Sequence, residues 1–398
     1  MSNASTSASR ITPNRAFDLS NVKIHLETKW WGFYLHLNED ATQLLEDIRD
    51  LAAQLLKLFG PELAAPIKAA ILLEKYWIKL MDKGNGVKLV SPWISPTMLI
   101  PLPEDESNHI DDTTLSWSIF DPDSGQWSDD HKFPANYAEV GPAAAVFGNQ
   151  LMCVHRGRAS DAYLEWTAYD SSQGWTRDQR FPAHLTEAEP ALAVFQDKLY
   201  CAHRGAGGDS NLYLASFDGR SWSADQRFSL ITSTGPALAA FQNRLICVHQ
   251  GSQGDDRLLW TASSNGSDWS EAAPMTGHHT RSQPALAVFQ GRLYCVYRTQ
   301  ADDLAWTTFD GRSWSEPDTV GAICASGASL VVRGTRLYCA YVGPGGDPSV
   351  FWCAFDGQAW TDPHRAPFRA SDTPALVLYQ DSHATKDHVM CIHRGIRT

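Results

Sequence analysis

The chain has 398 residues, of which 43% are hydrophobic and 20% charged, the balance of a soluble globular protein long enough for two or three domains. A net charge of −12 argues against nucleic-acid binding, which needs a basic surface, and no run of about 20 uncharged apolar residues offers a membrane span. Eight cysteines are too sparse for a disulfide scaffold, while 15 Trp, 28 Gly and 21 Pro point to many short strands and tight turns.

Residues 1–15 are small and polar and carry no apolar signal-peptide core. They read as a disordered tail, on a protein made in the cytoplasm and, if exported, released by a non-classical route. Residues 22–28 alternate apolar and polar as a strand does, and residues 31–37 follow as a second strand. Asn38 can cap a helix with Glu39 and Asp40 in its first turn. Leu44, Leu45, Ile48, Leu51, Leu55 and Leu56 keep helical spacing until Gly60-Pro61. Pro66 suits the start of a second helix, which runs to Met81 before Gly84-Asn85-Gly86. Residues 87–103 look extended. The expectation is a small α+β domain over residues 16–103, a hairpin plus two helices, followed by an acidic linker at 104–112. Lys68, Lys75 and Lys79 share one face of helix 66–81, and its other faces carry Ile71, Leu73, Trp77, Ile78 and Leu80. Such a helix either touches a membrane or packs on its neighbour with the lysines in water.

From residue 113 onward the chain repeats. Cys153, Cys201, Cys247, Cys295, Cys339 and Cys391 sit in one recurring phrase. Pro142, Pro190, Pro236, Pro284, Ala328 and Pro374 mark the repeat starts, at steps of 48, 46, 48, 44 and 46 residues. The copy PALAVFQGRLYCVYRTQADDLAWTTFDGRSWSEP, from Pro284, holds four apolar runs: PALAVF, RLYCVYR, LAWTTF and SWS. Gln-Gly and Asp-Gly between runs are hairpin signals. Four antiparallel strands per repeat of this length describe a β-propeller blade. Five copies are whole. The last supplies only two strands, and the missing pair lies in LSWSIFDPDSGQWSDD, residues 115–130. The fold class is therefore mainly β: a six-bladed propeller over 113–398, with one blade closed by strands from both of its ends.

The register cysteines read as small buried side chains between blades, beyond disulfide reach of one another. No CxxC or zinc-like spacing occurs, so neither a metal site nor a cofactor is expected. No HExxH, GxSxG, P-loop or dinucleotide fingerprint is present. Asp121, Asp170, Asp218, Asp310 and Asp356 stand at the turn after the third run, where turn geometry explains them. The blades are too alike to single out one catalytic blade, so no catalytic residue is assigned.

A polar pair follows each register cysteine: His155-Arg156, His203-Arg204, His249-Gln250, Tyr297-Arg298, Tyr341-Val342 and His393-Arg394. The third run adds Trp117, Trp166, Trp260, Trp306 and Trp352, with Leu214 in the remaining blade. An Arg fork beside an aromatic plane suits a sugar, whose hydroxyls take the donors while its apolar face stacks on the ring. The bland alternative is that Arg or His caps a strand edge and Trp fills space between blades. The fourth-run residues Trp127, Trp175, Trp222, Trp269, Trp314 and Trp360 read as structural.

The phrase GRLYCVYRTQADDLAWTTFDGRSW, from Gly291, resembles the blade repeat of bacterial and fungal fucose-binding propeller lectins. That resemblance implies one sugar pocket between each pair of adjacent blades, built from Arg, Glu or Gln, and aromatic residues. The family's early-strand Arg matches Arg244, Arg292 and Arg336, with Gln150, Lys198 and His388 in other blades. Its acidic partner on strand three has no evident counterpart, since Trp306 and its equivalents stand there. The expected function is glycan or glycoprotein binding without catalysis. Two alternatives are a toxin-like protein, whose propeller docks on a receptor while the N-terminal helices act on a membrane or partner, and a glycosidase using the central funnel. Oligomeric state is not legible.

Overall fold

In a computed structural model the described residues are 24–28, 32–37, 55–57, 64, 67–68, 71, 87–92, 100–103, 113–158, 161–170, 174–252, 254–380 and 387–396. The chain divides into two compact units, Met1–His109 and Ile110–Thr398.

In the first unit, β1 (Ile24–Thr28), β2 (Gly32–Leu37), β3 (Val87–Pro92) and β4 (Ile100–Pro103) form one antiparallel sheet in chain order. The expected hairpin pairs Ile24 with Leu37 and Thr28 with Phe33. The segment read only as extended supplies the sheet's other two strands. Leu55–Lys57, Ala64, Ile67, Lys68 and Ile71 are helical, and Leu55, Ile67 and Ile71 are fully buried. The spacing of Ile67 and Ile71 places both on one helical face. The rest of the two expected helices, the tail and the linker lie outside the described residues. So do Lys75 and Lys79, on which membrane contact and the toxin-like alternative depend. Among the described residues, no helix is long and apolar enough to cross a membrane.

The second unit is a ring of six antiparallel sheets, here blades A to F in ring order. Blade B runs Ala143–Phe147, Gln150–Arg156, Tyr163–Asp170 and Gln179–Leu185. Blades C to F repeat that order from Ala191, Ala237, Ala285 and Ala328. Blade A is assembled from both ends of the ring: Ala375–Gln380 and Asp387–Arg394 pair with Thr114–Asp121 and His131–Tyr137. The closing seam runs from Val389↔Phe120 to Arg394↔Leu115. It leaves no open edge between first and last blades.

One sequence assignment shifts. The fourth strands do not contain the conserved Trp; they begin after it, as at Asp318–Ile323 in blade E. Each Trp instead bridges back to the end of strand three, for example Phe309↔Trp314. Too few residues separate SWS from the Asp-Gly turn to form a long strand, and the polar stretch that follows makes the outer strand.

The interfaces between blades are rich in aromatic contacts. Each strand-three Trp leans on the strand-three aromatic of the next blade: Trp117 on Tyr169, Trp166 on Phe217, Trp260 on Phe309, Trp306 on Phe355 and Trp352 on Phe120. The turn Trp packs the other way, onto the preceding blade, as Trp175 stacks on Phe133 and Trp222 on Phe181. All eight cysteines are buried free thiols. Gln196, Gln242 and Gln290 sit in strand 1–2 hairpin turns with positive φ. Their amides donate to Ser264 O, Asp310 O and Asp356 O of the following blade, so a turn residue also stitches the ring.

Candidate functional site

The histidines of the His-Arg pairs are fully buried. In three blades the Nε2 atom meets an aspartate three residues past the turn Trp, at 3.0 Å each: His155 with Asp178, His203 with Asp225 and His393 with Asp130. Burial opposes charge on His155, but Asp178 outweighs it and holds the imidazole above its ordinary pKa. Blades E and F carry Tyr297 and Tyr341 in the same place, with Pro317 and Pro363 where the aspartate would be. Tyr297 donates to His278 Nδ1 at 2.8 Å, while His278 Nε2–H donates to Ser315 O. Blade D is the odd one. Ala272 stands where the aspartate would be, the His249 Nε2 has no partner, and burial lowers its pKa. This His–Asp or Tyr–Pro matching was present in the sequence, but the aspartates stand in an irregular stretch that hid the register.

The paired arginines are half-buried and span blades. Arg394 donates to Glu139 O at 3.0 Å. Arg298 bonds Ala325 O and pairs with Asp302 at 2.7 Å. Arg204 approaches Glu187 at 3.8 Å. In Arg204, Arg298 and Arg394 alike, the Nε–H is buried without a partner. Trp117, Trp166, Trp260, Trp306 and Trp352 each keep an exposed edge beside their packing contacts. At the opposite end of the blades, Arg244 donates to Gly311 O at 2.9 Å and lies over Phe309. Arg292 and Arg336 are exposed near the Asp310 and Asp356 turns. Backbone N–H groups at those turns hold both aspartates below their ordinary pKa, which accounts for them structurally.

Two concavities stand out. One is a cleft of about 840 Å³ between the outer strand of blade F and the Trp127 turn of blade A. Its walls include Trp352, Trp127, His364, Asp130, Arg365 and Arg369. His364 stacks on Trp352 with ring centres 4.7 Å apart, and Trp127 meets Phe368 edge-on at 4.9 Å. Strand two of blade F ends in Val342, so no His-Arg pair arginine enters this cleft. Of the sequence candidates it gathers Trp352 alone. Sequence reasoning missed His364 and Arg365, although the outer strands of blades A, B and C open on the similar pairs His131-Lys132, Gln179-Arg180 and Gln226-Arg227, a repeat that could have found them.

The other concavity is the ring axis, only about 120 Å³. The residues preceding the first strands alternate: Gly141, Glu189, Gly235, Gln283, Gly327, Thr373. A Cβ on Gly141 would stand 2.5 Å from Thr373 O, and one on Gly327 2.7 Å from Gln283 O. Small residues thus admit the backbone of the preceding blade, and Gln283 reaches across to Pro236 O at 2.7 Å. Glu189 and Asp372 hydrogen-bond to each other here. Both keep some exposure, yet desolvation and the Asp372 charge raise Glu189 to about 8, so the two carboxyls share a proton at neutral pH.

No protein-family model matches the chain, and no curated protein matches it. Among solved structures it is similar to AofleA from Arthrobotrys oligospora, at 10% identity over 78% of this chain and 86% of that one, with a TM-score of 0.50. A variant of the Aleuria aurantia lectin in complex with Fucα1-6GlcNAc matches at 13% identity over 65% and 96%, TM-score 0.47. Trypanosoma rangeli sialidase matches at 11% over 69% and 57%, TM-score 0.48. At these identities the likeness is one of fold, and in fold the chain resembles the fucose-binding β-propeller lectins.

Proposed function

We propose that the protein binds glycans, without catalysis, in clefts between propeller blades, and that the cleft between blades F and A is its principal site. The observation that carries this reading is the pairing, in one 840 Å³ cleft, of indole and imidazole rings with carboxylate and guanidinium groups. A saccharide needs both: a ring for its apolar face and charged hydrogen-bonding groups for its hydroxyls. The volume falls within the range of about 300–1,000 Å³ usual for ligand pockets.

The axis supports a non-catalytic reading. Its roughly 120 Å³ is below that range. Glycoside hydrolysis also needs carboxyls about 5 Å or more apart, whereas Glu189 and Asp372 are hydrogen-bonded to one another. A glycan array tests the proposal. Binding to a defined sugar set, weakened at least tenfold by Trp352→Ala and by Arg365→Ala, is expected. Silence across fucosylated, sialylated, galactosylated and GlcNAc-terminated glycans would refute it, as would binding indifferent to both variants.

A further inference from the structure

We propose that His155, Glu165, Asp178 and Asn136 form a site for a first-row divalent metal ion, of the Zn²⁺ or Mn²⁺ class, between blades A and B. The Nε2 of His155 and one carboxylate oxygen each of Glu165 and Asp178 lie within 4.8 Å of one another. His155 and Glu165 are cross-strand partners, so their side chains project from the same face. Asn136 arrives from the outer strand of blade A. It is fully buried, its amide nitrogen bonds Asp178, and its Oδ1 has no donor.

The repeats serve as controls. Blades A and C carry the same His–Asp pair, but Ser116 and Tyr213 stand opposite the histidine where blade B has Glu165. Tyr213 turns its hydroxyl to Asp209. Facing Asp225 from the preceding blade is His184, whose Nε2 lies 3.0 Å from Ser223 O and 3.2 Å from Asp225 itself; facing His393 is Phe368, stacked at 4.7 Å. The His–Asp pair is thus complete without Glu165 or Asn136. Adding them brings a second carboxylate beside the first and leaves a buried amide oxygen without a donor, which is ordinarily unfavourable. Arg180 approaches Glu165 at 3.4 Å, but from the exposed side, where it also pairs with Asp161.

A cation held by His155, Glu165 and Asp178 offsets the paired carboxylates, and turning over the Asn136 amide, whose nitrogen now faces Asp178, adds its oxygen as a fourth ligand. His155 Nδ1 lies 3.3 Å from Arg156 O, so a proton on Nδ1 frees Nε2 for a metal, the usual outer-sphere arrangement. One imidazole with three oxygen donors suits Zn²⁺ or Mn²⁺ better than Ca²⁺ or Mg²⁺. The ligands come from four separate stretches, so no local spacing motif announces them.

The test is calorimetric titration of chelator-treated full-length protein with ZnCl₂ and MnCl₂, with CaCl₂ and MgCl₂ as comparisons. One zinc or manganese site per chain is expected, weakened more than tenfold in Glu165→Gln and Asn136→Leu and unchanged in Tyr213→Phe. Thermal melts without metal verify that each variant folds. Because Glu165 is partly exposed, Glu165→Gln should melt as wild type does in chelator and lose only the metal-induced rise. No binding at millimolar metal would overturn the proposal, as would binding that ignores Glu165→Gln, since that places the ion at other histidines.

Discussion

Replacing Glu189 by Gln should remove a pH-dependent weakness at the ring axis. In the folded protein Glu189 holds its proton up to about pH 8; unfolded, it releases it near 4.5. Between those values the native state binds more protons than the unfolded chain, so stability falls as pH rises. The contribution is intact below pH 4.5 and the loss complete above about pH 8. That gap of roughly 3.5 corresponds to a ceiling of about 5 kcal/mol. Glu189 shares the proton with Asp372 and keeps some exposure, so about 2 kcal/mol is a fairer figure once coupling and solvent screening are allowed for. For a ring of this size that is about 4–8 °C in melting temperature. Glutamine can donate to Asp372 at every pH, and Asp372 keeps the Gly141 and Thr373 amides and nearby Arg394. The variant should therefore match wild type near pH 5 and melt several degrees higher near pH 9. Differential scanning calorimetry across pH 5–9 measures this. Other titrating groups, His155 among them, cancel in the comparison. Parallel profiles for the two proteins would show that the carboxyls do not share a proton, and the reasoning would fall.

Gly327→Ala should lower the melting temperature by about 2–10 °C, from about 1–3 kcal/mol of overpacking, because its Cβ would press on the Gln283 carbonyl; an unchanged melt would mean the axis is looser than drawn. Truncation after Asp372 removes the two strands that seal blade A and should abolish the cooperative transition and expose the ring to limited proteolysis. Ala272→Asp should give His249 the partner that three other histidines have. A gain of about 1 kcal/mol is expected, since a charged hydrogen bond outweighs the aspartate's partial desolvation. NMR titration should find the His249 pKa raised, with the gain fading as pH rises through that value.

Repetition explains which parts of this molecule were legible. A residue that recurs every blade reports a shared structural task, so the ring, its split blade and the buried cysteines could all be read from spacing. The same repetition misdirects a search for function. The structure gives His155 a tie to Asp178 and Trp166 a wedge against Phe217, so recurrence alone does not separate a structural task from a functional one. Even the exceptions are paired. Blade C has Leu214 in the Trp position, and the next blade has Ser263 where the others have an aromatic; wedge and seat are absent together. Chemistry that belongs to one place must instead be sought where a blade departs from its siblings without a compensating change nearby. Glu165 and Asn136 do so between blades A and B, whereas His364 and Arg365 repeat His131-Lys132, Gln179-Arg180 and Gln226-Arg227 of blades A, B and C. Spacing does not announce Glu165 and Asn136, which come from the third strand of one blade and the outer strand of the one before it, while the cleft between blades F and A exists only because ring closure brings residues 349–369 to residues 125–130.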